Sequence, residues 1–116
     1  SKISQRAATF ALTGSQDLVW EHHGAYARRR QMTIDALGEI PTLHLPVING
    51  AYYAFPRYGG GEPSTTLCER MLTQESVATV PGSAFGEGGE GHFRISFAVD
   101  DNVLADGLNR LQQFFS

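Results

Sequence analysis

Apolar and polar positions along the chain repeat with two different periods, and the switches between them mark out the elements. Phe93, Ile95 and Phe97 alternate with His92, Arg94 and Ser96. A period of two places the apolar set on a core and the polar set on the other face of a strand. Helical spacing governs Ile3, Ala7 and Phe10, which predict a first helix from about Ser4 to Thr13 with Gly14 as its stop. A longer helix follows from Ser15 or Gln16 to about Leu37, closed by Gly38 and Pro41. Thr42–Leu45 and Ala51–Phe55 carry β-favouring residues around a Pro46–Gly50 turn and read as two strands. Tyr58–Pro63 reads as a loop. The next helix spans Ser64–Gln74, with Thr66 and Glu69 spaced as a capping box and Leu67, Met71 and Leu72 facing the core. Val77–Val80 predicts a short strand. Asp100 or Asp101 caps a final helix whose Leu104, Leu108, Leu111 and Phe115 form one stripe, read as core. The sum is an α+β domain: a small, mostly antiparallel sheet with helices packed on it.

Composition narrows this picture without changing it. At 116 residues there is room for one domain with a modest core, and 41% hydrophobic with 18% charged residues is ordinary for a globular chain. A net charge of -3 argues against nonspecific nucleic-acid binding, which needs a basic face. The one basic run, Arg28-Arg29-Arg30, falls in the long helix, where successive residues point about 100° apart and form no single patch. Arg30 shares the apolar face of Val19, Tyr26, Ile34 and Leu37, which predicts a structural ion pair for Arg30 and solvent for its neighbours. The lone Cys68 has no internal disulfide partner and reads as a packed or idle thiol in a reducing compartment. His22, His23, His44 and His92 fit no metal-ligand spacing, so no metal site is expected. With no signal peptide or long apolar run in the chain, cytoplasmic placement without a membrane partner is the expectation.

Candidate chemistry concentrates at Val80–Ala98. Five glycines and a proline lie within the eleven residues Pro81–Gly91, a composition that permits positive φ and close approach of the main chain to a ligand. Gly86, Gly88 and Gly91 spell G-x-G-x-x-G, but the dinucleotide fingerprint opens a helix, whereas this run opens a strand and carries Glu87 and Glu90 where a pyrophosphate would sit. Dinucleotide binding is therefore rejected. Arg94, on the polar face of the following strand, offers a planar, permanently charged fork that matches a carboxylate bidentately. The same placement suits a surface arginine or a structural ion pair.

Three anchors in order resemble the fold-type I, pyridoxal-phosphate-dependent aminotransferases of the aspartate and aromatic class. They are Ser4-Gln5-Arg6-Ala7-Ala8, Gly50-Ala51-Tyr52-Tyr53-Ala54-Phe55-Pro56, and Val80-Pro81-Gly82-Ser83-Ala84-Phe85-Gly86 leading to Arg94-Ile95-Ser96-Phe97-Ala98. The resemblance covers nearly the whole chain. It implies that Arg94 grips the α-carboxylate of an amino-acid or 2-oxo-acid substrate, that Tyr52 is an aromatic neighbour of that site, and that residues 1–116 are the C-terminal small domain. It also implies a partner large domain that binds the pyridoxal phosphate, and a homodimer. That family holds its cofactor on a lysine upstream of the first helix. Lys2, the sole lysine, is in the wrong place and reads as a solvated terminal residue, so the chain alone is expected to be inactive, with no catalytic and no cofactor-binding residue of its own. Readings from other classes are an aminotransferase-like sensor domain of a transcriptional regulator, a C–S lyase or another non-transaminating member of the fold, and a stand-alone anion-binding module.

Overall fold

Four α-helices and five short strands follow one another in the computed structural model, which describes residues 1–116. Helices α1 (Lys2–Thr13) and α2 (Asp17–Gly38) come first, then strands β1 (Leu43–His44), β2 (Tyr53–Ala54) and β3 (Arg57–Tyr58). Helix α3 (Ser64–Glu75), β4 (Val80–Pro81), two 3₁₀ turns (Gly82–Phe85 and Glu87–Gly89), β5 (Phe93–Ser96) and α4 (Asp101–Phe114) complete the chain. The strands are antiparallel throughout, as an α+β reading requires.

β5 is the central strand of a three-stranded ladder, β2-β5-β4, with Tyr53 opposite Ser96 and Val80 opposite Arg94. Its alternation holds as read: Phe93 and Phe97 are fully buried and Ile95 nearly so. A fully buried large apolar side chain contributes roughly 1.5–3 kcal/mol and a net backbone hydrogen bond about 1 kcal/mol. The inward residues of β5 therefore fix its register at least as firmly as its short ladder does. Leu104, Leu108 and Leu111 of α4 pack on that face with Leu37 of α2 and Leu67 and Met71 of α3. Phe115 stacks on Phe93 with ring centroids 5.9 Å apart.

Strand pairing differs from the simple hairpin around Pro46–Gly50. β1 pairs with β3, and β2 pairs with β5. Pro56, which has no N–H to donate, separates β2 from β3; its carbonyl accepts from Phe93 N (3.2 Å), and an Arg57–His92 bridge links the two ladders. Arg57–Tyr58 is thus a strand, which takes Tyr58 out of the loop expected over Tyr58–Pro63, and the strand expected over Val77–Val80 is confined to Val80–Pro81. Leu72 points outward and is 53% exposed, because α3 buries only the stripe through Ser64, Leu67, Cys68 and Met71.

The first helix keeps to itself. α1 has no buried residue, with Ile3 82% and Phe10 79% exposed, and the first turn of α2 likewise leaves Leu18, Val19 and Trp20 in solvent. The molecule is accordingly elongated, 51 × 28 × 26 Å along its principal axes.

Candidate functional site

Arg94 sits mid-strand on the face of β5 opposite Phe93 and Ile95, half-buried. Register on both sides decides what surrounds it. Tyr53, opposite Ser96, shares this face one step along β2, and the guanidinium carbon lies 4.3 Å from the centre of its ring. Phe85, at the end of the first 3₁₀ turn, approaches from the loop at 4.9 Å. No carboxylate of the chain lies within 4.0 Å of Arg94, and its side chain makes no hydrogen bond. Among the arginines, Arg28 and Arg29 pair with Asp101, Arg70 with Glu62 and Arg110 with Asp106, while Arg30 donates to the Ile48 carbonyl at 2.6 Å. Arg6 and Arg57 are exposed. Arg94 is therefore the one half-buried arginine whose donors are unspent.

This corrects the expectation for the basic run. Arg30 is anchored by a loop carbonyl, and it is Arg29 that forms the ion pair, with Arg28 3.7 Å from the same carboxylate. The arginine neighbours hold the Asp101 carboxyl below its ordinary range, chiefly through the hydrogen bond from Arg29. Asp100 occupies the N-cap position of α4 without a side-chain capping bond.

Aromatic rings extend the Arg94 face in both directions. Phe55 meets Phe85 edge-on at 5.6 Å and stacks on His92 at 5.0 Å. On the other side Tyr52 lies 4.5 Å from Tyr53 and 5.9 Å from Tyr26, centre to centre. Tyr52 thus stands one ring beyond Tyr53, is 41% exposed, and has its hydroxyl pushed above the ordinary tyrosine value, chiefly by the neighbouring Tyr53 side chain. Tyr53 and Phe85 were not singled out from the sequence. The available signal was that Tyr53 and Phe85 belong to the same two anchors that carry Tyr52 and lead to Arg94.

Two devices hold the loop that delivers Phe85. The first is a backbone contact: a Cβ on Gly82 would fall 1.9 Å from the Gly89 carbonyl oxygen, and one on Gly89 would fall 2.0 Å from that of Gly82. Only glycine permits this approach. The second is Glu90. Its carboxylate accepts from Ser64 N (2.7 Å), the Ser64 hydroxyl (3.0 Å), Gly91 N (3.2 Å) and, more distantly, the Tyr58 hydroxyl (3.4 Å). Glu90 therefore caps α3 from the loop, where negative charge complements the helix dipole, and no capping bond forms at Thr66. These bonds, the Ser64 N–H first, hold the Glu90 carboxyl below its ordinary value. Burial, with Glu90 beside it, pushes the Tyr58 hydroxyl up to about 12. Gly86, Gly88 and Gly91 run through the second 3₁₀ turn into β5, so the G-x-G-x-x-G spacing opens no helix.

Other reactive side chains stand apart. Cys68 is buried, accepts a hydrogen bond from the Thr79 hydroxyl at 3.1 Å, and has its thiol pushed up by burial, which keeps it protonated. A cavity of about 470 Å³ between α4 and the sheet edge, lined by Val77, Ile95, Val99, Val103 and Arg110, does not include Arg94. No helix is long and apolar enough to cross a membrane.

A family model described as aminotransferase class I and II matches residues 1–111. The chain is 35% identical over 122 residues to an aspartate aminotransferase of Rhizobium meliloti, covering 96% of this chain and 29% of that protein. It is 39% identical over 114 residues to an aspartate aminotransferase of Pyrococcus abyssi, covering 94% and 28%. The aromatic aminotransferase from Pyrococcus horikoshii OT3 superposes with a TM-score of 0.88 at 38% identity, over 95% of this chain and 30% of that one. The chain thus spans less than a third of the length of the relatives it matches.

Proposed function

The chain belongs to the class I and II aminotransferases, and on that premise we propose that it is the small domain of an enzyme that moves an amino group between an amino acid and a 2-oxo acid, with Arg94 holding the substrate α-carboxylate. The observation that carries this reading is the unspent guanidinium: half-buried, rigidly mounted mid-sheet, and facing no acid of its own chain. Burial without an ionic partner disfavours the surface or ion-pair alternatives, and a bidentate fork suits a carboxylate. Tyr52, one ring away, borders the same face.

Pyridoxal phosphate, which the family implies, finds no attachment here. The sole lysine, Lys2, opens α1, a helix with no buried residue, so the residues present do not make a cofactor site. In this reading a larger domain of the same protein holds the cofactor and closes over the Arg94 face, and the protein is a homodimer. The task left to this chain is orientation: fixing the carboxylate fixes the direction of the bond from the α-carbon to its hydrogen, the kind of positioning that lowers a barrier by several kcal/mol.

Arg94→Lys and Arg94→Ala in the full-length protein test this. A charge-assisted hydrogen bond contributes about 1.5–3 kcal/mol, so apparent affinity for both the amino acid and the 2-oxo acid should fall roughly ten- to hundredfold. Unchanged affinity for both removes Arg94 from the site. Turnover that needs no oxo acid would move the parent to the lyases of the same fold.

A further inference from the structure

We infer that Tyr53 and Phe85 are positioning residues that hold the Arg94 guanidinium in place for its ligand, an inference that rests on the reading of Arg94 as a carboxylate grip. A guanidinium is flat, and all its N–H bonds lie in that plane. The ring centres of Tyr53 and Phe85 lie 4.3 Å and 4.9 Å from its central carbon, close enough for both rings to attract the cation. A carboxylate is planar too, and meets the N–H edge best when coplanar, two oxygens against two N–H groups. A guanidinium already held by two rings is free of the rotamer search that would otherwise precede such a fork.

The two rings come from separate parts of the chain, each independently fixed. Tyr53 is held by β2, paired to Ser96, with Tyr52 O accepting from Phe97 N at 3.0 Å. Phe85 ends a 3₁₀ turn pinned by the Gly82–Gly89 approach and by the Glu90 bonds to α3. Phe85 remains half exposed even so. Its place against Arg94 and Phe55 gives it a role that core packing does not explain. An arginine side chain loses considerable rotamer freedom when it is immobilised, and a clamp that immobilises it before the ligand arrives leaves less to lose on binding.

Tyr53→Leu and Phe85→Leu remove the rings while keeping apolar bulk. In the full-length protein, calorimetric titration with pyruvate should show a roughly two- to tenfold loss of affinity for each, the range expected when one rotamer-rich side chain must be immobilised on binding. Phe85→Tyr and Tyr53→Phe should restore most of it. In an Arg94→Ala background, where no cation is left to hold, either leucine substitution should have little further effect. Leucine variants that bind like the wild type overturn the proposal, as does an equal loss in both backgrounds, which would mark general damage to the loop. If Arg94→Lys alone leaves pyruvate affinity unchanged, it is the underlying carboxylate reading that fails.

Discussion

Replacing Gly89 by alanine should damage this domain far more than replacing its neighbour Gly88, although both lie in the same 3₁₀ turn. A Cβ on Gly89 meets the Gly82 carbonyl oxygen at 2.0 Å and its carbon at 2.8 Å; a Cβ on Gly88 meets nothing within 4 Å. Carbon and oxygen do not settle closer than about 3 Å, so the two backbone segments must part by roughly 1 Å, and neither is a flexible side-chain end. Bonds that depend on their spacing include Gly82 N to His92 O (2.8 Å), His92 N to Gly89 O (3.1 Å) and Ser83 N to the Ser64 hydroxyl (3.2 Å). At about 1 kcal/mol each, losing two or three costs about 2–3 kcal/mol. Alanine also lowers the entropy of the unfolded chain, which at a tolerant site such as Gly88 stabilises by about 0.4–1 kcal/mol. That gain is common to both variants and cancels between them, so they should differ by about 2–3 kcal/mol in urea unfolding of the chain. Gly89→Ala should also weaken carboxylate binding, because Phe85 rides on the displaced turn. Equal urea midpoints for the two variants would refute the claim that the Gly82–Gly89 approach holds the loop.

Two further outcomes follow from features away from Arg94. Because the folded Glu90 carboxyl is held below its ordinary value, its contribution to stability is complete above the ordinary glutamate range and is lost as pH falls through the lowered folded value; Glu90→Gln should flatten this acid limb in urea unfolding measured across pH, and an unchanged limb would show that the α3 cap is not ionic. Trp20, the sole tryptophan, is 68% exposed within the apolar stretch that also includes Leu18 and Val19. Raising the concentration of the isolated chain should shift its fluorescence to shorter wavelength together with rising light scattering, whereas a concentration-independent spectrum and a clean monomer would show that this face does not self-associate.

Features encoded locally were legible in the sequence, and features that depend on distant partners were not. The inward set of β5 and the stripe of α4 are properties of a few consecutive residues, so Phe93, Ile95, Phe97, Leu104, Leu108 and Leu111 could be placed from periodicity alone. Periodicity also put Arg94 on the outer face, but could not say whether an acid waited there. In β2 only two residues pair, too few for a period, so whether Tyr52 or Tyr53 faces Arg94 is settled by the Tyr53–Ser96 register across the sheet. Thr66 and Glu69 had the spacing of a cap, but Glu90 reaches the α3 terminus from 26 residues away, a partnership no local pattern encodes. Arg30 gave the same lesson: its partner is a main-chain carbonyl, Ile48 O, and carbonyls leave no mark on a sequence of side chains.

The unburied α1 has a thermodynamic consequence. A helix of about 12–15 residues is marginal in water without tertiary support, and α1, with twelve residues and none buried, receives no such support from the rest of this chain. Its amide hydrogens should exchange with solvent almost as fast as those of a free peptide, while those of β5 and α4 wait for global unfolding. Slow exchange over Lys2–Thr13 would therefore measure something outside the core described here: the free energy with which another surface holds that helix in place. In that sense α1 is a gauge already built into the chain, reading zero until it is docked.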